Sequence, residues 1–405
     1  MTAGITQCQR RARDARGSGR RPTRKARLEG PAAHVAPAVR AVCVSALALL
    51  LLAGHLPIAQ AENGWRLSFA QAMGRIDYQL LHMRDEMTFV NQGHLMAAEI
   101  ELAATLSNGE RDVLDVAVQW PYYSQMDGID GRGRRLHFFN AYGIYKFGLG
   151  KPNLRFGQFV VPFGNLPYYE THTRPLQSMF GESIGIRIDR GISLEGMFGH
   201  YDYWLAVMGG NGEWQDNNRA PMASTRVARR FDLPRGPLNL AISALYGSDM
   251  PRFSPLVDPM MAPMTGMDGM DDGHGGGYGD GHAPENLLFT DKFRTALDAE
   301  WQRGPAIWRI EFVAGRDGDG LVNGQFLEWN RIITEQDEVT VQAVRWEQPD
   351  GWRTRAGLSL AHKPSVAMTV RLNAEFIHAR AWHTEQRQTM LALQFLLEIP
   401  RLWSL

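Results

Sequence analysis

From Val366 to Phe376 the chain alternates without a break. Val366, Met368, Val370, Leu372, Ala374 and Phe376 are apolar; Ala367, Thr369, Arg371, Asn373 and Glu375 between them are small, polar or charged. A period of two places every second side chain on one face of a β-strand. Length matters as much as period, because a strand that crosses a bilayer takes about 9–11 residues. The pattern recurs along the chain. Ala306, Trp308, Ile310, Phe312 and Ala314 oppose Arg309 and Glu311, and Met96, Ala98, Ile100, Leu102, Ala104 and Leu106 oppose Glu99, Glu101 and Thr105. Leu114, Val116, Val118 and Trp120 oppose Asp115 and Gln119; Leu238, Leu240, Ile242, Ala244 and Tyr246 oppose Asn239, Ser243 and Gly247.

Weaker runs lie at 74–84, 136–147, 153–161, 184–199, 201–208, 222–231, 289–301, 325–333, 338–347, 353–362 and 389–399. The expectation is about 16 strands, an even number being the rule for single-chain bacterial barrels. A soluble β-sandwich has the same period. Three features favour an all-β transmembrane antiparallel β-barrel instead. The runs are long. Trp120, Tyr122, Tyr123, Tyr168, Tyr169, Trp301, Trp346 and Trp403 fall near run ends, where an aromatic girdle belongs. Short connections (148–153, 232–236, 363–365) alternate with longer ones. Backbone groups in lipid have no water to bond, so such strands must close on themselves. Segment 165–183 has no clean period and reads as a loop that could fold into the lumen.

The N-terminus supplies the route to a membrane. Ala41 to Ala53 is an apolar run behind Arg40, followed by Ala59-Gln60-Ala61. This is the layout of a signal peptide, with cleavage after Ala61, and the run is too short for a membrane-spanning helix. Residues 1–61 are the expected leader and 62–405 the barrel, in the outer membrane of a Gram-negative cell. Both cysteines, Cys8 and Cys43, fall in the leader, which removes disulfides and thiolate chemistry from the mature chain. The leader also holds ten Lys/Arg and two acids, leaving 33 basic and 41 acidic residues after position 61, a net charge of −8. That balance argues against nucleic acid as a partner.

The stretch Arg155-Phe156-Gly157-Gln158-Phe159-Val160-Val161-Pro162-Phe163-Gly164 resembles the "GQF-x-VPFG" strand and turn of the phosphate-selective porin O and P family. Arg187 to Gly196 (RIDRGISLEG) resembles that family's "RD-x-G" strand, and Tyr203 to Gly212 its glycine-rich hairpin end. The resemblance covers about 60 residues. It implies a 16-stranded barrel, a homotrimer, and passage of anions such as phosphate or other small solutes down a narrowed lumen. Gly157 and Gly164 suit tight turns or close backbone approach, and Pro162, lacking a donor, suits a strand end. The sequence departs from the family in its charges: after the leader it has only Lys146, Lys151, Lys292 and Lys363. The candidate pore-lining positions mix Arg309 and Arg371 with Glu99, Glu101, Asp115, Glu311 and Glu375. Pro400 also interrupts the run expected to close the barrel.

Residues 248–287 form a Met/Gly/His/Asp-rich segment read as a flexible loop. Met261, Met264, Met267 and Met270 recur every third residue, with His274 and His282 beyond. Thioethers suit Cu(I) and imidazoles Cu(II), so copper binding or uptake stands as the alternative to a plain channel. Asp317-Gly318-Asp319-Gly320 lacks the closing glutamate of a calcium loop and reads as a turn. No G-x-S-x-G, H-E-x-x-H or G-K-[ST] motif is present, so the expectation is a channel for small solutes and not an enzyme.

Overall fold

The computed structural model describes residues 65–84, 89–109, 111–122, 140–165, 176–210, 221–253 and 287–401. The leader, with its cleavage site, lies outside them. Sixteen strands run in chain order: β1 (Arg66–Arg84), β2 (Phe89–Ser107), β3 (Asp112–Tyr122), β4 (Asn140–Lys146), β5 (Asn153–Val160), β6 (Ile188–Phe198), β7 (Tyr201–Met208) and β8 (Met222–Leu233). There follow β9 (Gly236–Phe253), β10 (Leu287–Arg303), β11 (Ala306–Asp317), β12 (Gly320–Ile332), β13 (Asp337–Gln348), β14 (Gly351–Ser365), β15 (Met368–Ala381) and β16 (Thr384–Arg401). A single short helix, α1 (Phe180–Ser183), stands among the described residues. Each strand pairs antiparallel with its neighbours in sequence, and β1 pairs with β16, so the sheet is a closed barrel with no free edge.

The alternation read in the sequence becomes the two faces of the wall. Ile242, Leu297, Phe312, Leu327, Leu358 and Leu372 are exposed on the outside, where hydrocarbon is their proper solvent. Their neighbours Ser243, Asp298, Glu311, Glu328, Ser359 and Arg371 are buried on the inside. Trp301, Trp308 and Trp329 sit opposite one another across β10, β11 and β12, and the rings of Trp308 and Trp329 lie 6.1 Å apart. This outward row, two residue pairs from the turn ends of its ladders, is the aromatic belt. Trp346 does not belong to it, being 1% exposed and inside the barrel. The expectation for it fails because nearness to a strand end says nothing about which face a residue takes. Trp120, Tyr122, Tyr123, Tyr168, Tyr169 and Trp403 have side chains outside the described residues.

The longest connections gather at one end of the barrel. At the opposite end, hereafter the turn end, stand the chain ends of β1 and β16 and seven short links, such as 199–200, 234–235, 304–305 and 366–367. At the other, the loop end, long connections join β3–β4, β5–β6, β7–β8 and β9–β10, while β11–β12, β13–β14 and β15–β16 are joined by two residues each. Asp317 closes β11, and Gly318-Asp319 make the turn that the sequence suggests.

Three boundaries differ from the sequence reading. Lys363-Pro364-Ser365 ends β14 through a register shift between His362 and Ser365, and Val366-Ala367 form the turn in its place. Residues 248–253 belong to β9 and Leu287 to β10, so the Met-rich connection is shorter than expected. Pro400 does not break β16, which pairs with β1 as far as Ala72 opposite Arg401. The Glu398 amide points toward β15's side, bonding the Ala367 carbonyl at 2.7 Å, and the proline nitrogen two residues on points the same way. Pairing with β15 has ended there, at Met368 opposite Leu397, so the missing donor costs nothing.

Gly157 bears out the need for close approach. Its φ is +116°, and a Cβ there would stand 2.3 Å from the Ala141 carbonyl oxygen of β4. Gly157→Ala is therefore expected to lower unfolding stability by about 1–3 kcal/mol, read as a lower denaturant midpoint for the heat-modifiable band. Gly150, with a positive φ but open space around it, serves as the comparison: Gly150→Asn should leave the midpoint almost unmoved.

Candidate permeation path

The connection from β5 to β6 does not stay at the rim. Its described parts, 161–165 and 176–187, are packed inside the barrel against the far wall. The motif resembling GQF-x-VPFG begins the inward turn: Pro162 and Gly164 offer their carbonyls to the Ser224 hydroxyl (2.8 Å) and the Arg226 Nε (2.8 Å). The Gly164 and Asn165 amides donate to Ser243 Oγ (3.1 Å) and Glu311 Oε2 (3.0 Å). Gly164 has φ +56°, and a Cβ would strike the Glu311 carboxylate at 2.3 Å. The two glycines of the motif thus do different work: one lets β4 and β5 approach, the other lets the chain leave the wall.

The second part is held by cations bonded to backbone oxygens. Arg294 donates to the Ser183 carbonyl at 2.7 Å and Lys292 Nζ to that of Ile184 at 3.1 Å. Arg355 reaches the Ser178 carbonyl at 2.9 Å and the Glu182 carboxylate at 2.9 Å. These α1-end groups would otherwise be buried without partners. Beneath them Met179, Ile184 and Ile186 join Phe159, Phe163, Met208, Met222, Leu245, Met250, Phe326 and Trp346 in one apolar cluster. The inside of a barrel wall is usually polar and wet; here the loop-end half on β7 to β13 is as apolar as a soluble core.

Around that cluster the charged residues close on one another. Arg226 pairs with Asp298 (2.6 Å), Arg294 with Asp317 (2.5 Å), Arg309 with Glu300 and Glu328 (2.7 and 2.6 Å), and Arg355 with Glu375 (3.2 Å). Arg371 donates to Gln394 Oε1 at 3.2 Å. The opposite wall, β1 to β6 with the end of β16, is more open. The side chains of Asp115 and Glu398 are each 32% exposed and Lys146 is 29% exposed, against 0% for Arg294 and Glu328. The lumen is therefore lopsided: filled along β8 to β14, and less completely on the opposite wall, where Arg75, Asp77, Gln119, Asp189 and Glu195 are buried but Asp115, Lys146 and Glu398 keep about a third of their surface.

The sequence candidates distribute across both walls. Arg309, Glu311, Arg371 and Glu375 lie on the filled side and are buried. Glu101 and Asp115 lie on the open side, Asp115 bonded to Lys146 at 2.6 Å and to Thr105 at 2.9 Å. Glu99 stands opposite Arg75 in the β1–β2 register, its side chain being outside the described residues. So are Met261, Met264, Met267, Met270, His274 and His282. Among the described residues no three His, Cys, Asp or Glu side chains gather as a metal site. Residues that sequence reasoning passed over include Glu182, Lys292, Arg294 and Arg355. Their signal was there in part: Lys292, Arg294, Asp298 and Glu300 share one strand face.

No protein-family model matches the chain, and no curated protein matches its sequence. Its backbone is similar to the anion-selective porin from Comamonas acidovorans, with TM-score 0.58 and 14% identity over 82% of this chain and 100% of that one. It is also similar to the outer-membrane channel DcaP of Acinetobacter baumannii (TM-score 0.57, 8% identity, 85% and 100% covered). This chain has the porin fold. A third match, OmpT, an outer-membrane protein of Vibrio cholerae, agrees, with TM-score 0.53, 10% identity, and 84% and 100% covered. At these identities the likeness is one of architecture, and the selectivity of a porin fold lies in its lumen side chains.

Proposed function

We propose that the chain is an outer-membrane channel for passive diffusion of small solutes or ions, narrowed by the β5–β6 segment. The observation that carries this reading is the lopsided lumen: a segment fixed across the barrel by Lys292, Arg294 and Arg355, facing a wall on which Asp115, Lys146 and Glu398 keep about a third of their surface. Such a passage would be an aqueous slot between the inward segment and the β1 to β6 wall. A homotrimer belongs to the same reading and rests on the family resemblance. An arginine ladder for phosphate draws no support from the filled side, where Arg226, Arg294, Arg309 and Arg355 are spent on carboxylates and carbonyls.

The test is planar-bilayer recording of the refolded mature chain. Discrete conductance steps that stay open over ordinary voltages are expected. A folded, heat-modifiable barrel that inserts but passes no current would overturn the channel reading.

A further inference from the structure

We infer that the passage prefers small cations to anions, and that the open wall of β1 to β6 sets this preference; the inference rests on the channel reading above. The inward-facing basic residues fall into two groups. On the filled side they hold the inward segment and are hidden from the lumen water. On the opposite wall the described strand positions, with the end of β16, carry four bases that face inward: Arg66, Arg75, Lys146 and Arg155.

Three of these are held by a carboxylate, while Arg66 stands opposite Ser107 at the turn-end rim. Arg75 meets Glu398 at 3.0 Å, Lys146 meets Asp115 at 2.6 Å and Asp112 at 3.7 Å, and Arg155 meets Glu195 at 3.1 Å. Arg155 is fixed further by the rings of Tyr142 and Phe159, at 4.8 and 5.6 Å. A guanidinium so bound offers little to a passing anion. The acids with described side chains on the same inward face are Asp77, Glu101, Asp112, Asp115, Asp189, Glu195 and Glu398, seven against four bases, with Asp77 and Asp189 buried. Glu101 and Asp115 share the inward face of β2 and β3, with the small pair Ala103 and Ala117 between them.

The geometry amplifies a small excess. A narrow aqueous slot between low-dielectric walls concentrates the field of its lining charges, so a net charge of one or two biases which ion enters. The whole mature chain carries the same sign, with 41 acids to 33 bases after position 61. Long-range and local fields therefore act together. This is the opposite preference from that which the family resemblance implies.

Reversal potentials in a potassium chloride gradient read the preference directly, using the refolded mature chain. Wild type is expected to pass potassium faster than chloride. Glu101→Gln and Asp115→Asn should each move the reversal potential toward zero, and Ala117→Lys should carry it toward chloride. Glu347→Gln is the control, since Glu347 lies on the outer face, bonded to Arg345 and Asn323, and removes the same charge away from the lumen. It should leave the reversal potential unchanged. Chloride preference in wild type, or an equal shift from Glu347→Gln, overturns the inference while leaving a conducting channel. Absence of current in every variant overturns the channel reading itself.

Discussion

Arg294→Leu is expected to destabilise the barrel by about 3–5 kcal/mol, the cost of breaking a buried ion pair from one side. Arg294 is fully buried and donates to three acceptors besides the Phe293 carbonyl: the Asp317 carboxylate and the carbonyls of Ser183 and Arg316. Leucine would leave a carboxylate and two carbonyls without that donor, in a region walled by Trp346 and Met179. Arg252, at 3.9 Å from Asp317, is too distant to take over both bonds. Denaturant titration of the purified barrel, followed by tryptophan emission and gel mobility, gives the number. Pairing the change with Asp317→Leu should recover part of the loss, because the uncompensated charge goes with it. A single variant within about 0.5 kcal/mol of wild type, the range of ordinary surface changes, would mean that the pair does not hold the segment.

The second large effect is on conduction. Replacing 176–186 by a short Gly-Ser link is expected to raise single-channel conductance severalfold and to reverse ion preference. The wall itself should survive, since all sixteen strand pairings are made without the segment. What changes is the lumen. Lys292 loses the Ile184 carbonyl and Arg294 that of Ser183, and Arg353 and Arg355 lose Glu182, which lies 3.9 and 2.9 Å from them. Basic groups that were buried would then face water, and an acid would be gone. Wider steps with a reversal potential shifted toward chloride are the expected outcome. Unchanged conductance would mean that the narrowest point lies elsewhere.

Much of this was legible in advance, and the rest was not for a definite reason. Alternation marks a strand and its two faces locally, so the runs at 114–120, 238–246 and 306–314 map onto β3, β9 and β11 with their apolar sides outward. Periodicity also finds which polar residues point inward, as with Glu311 and Arg371. It does not find their partners. Arg294 meets a carbonyl 111 positions away and Arg355 one 177 positions away, and nothing near either residue announces the other. Trp346 was misjudged for the same reason: its inward face is filled by Met179, from a segment whose own sequence has no period. Selectivity is harder still, because it depends on which arginines are already occupied, a property of the assembled lumen.

The closing seam between β1 and β16 has a consequence for how the molecule is made. Gly74 lies opposite Ile399, so the last ladder joins positions more than three hundred residues apart. The entropy of bringing such distant ends together must be met before their bonds form. A chain emerging N-terminus first holds β1 without its second partner until the final strand arrives. Throughout that interval its edge is an open template for mispairing. The inward segment must reach its seat on β8 to β14 while the sheet is still open or closing. Carriers that keep the chain extended in transit, and a catalyst that templates the last seam, are what this topology demands of the cell.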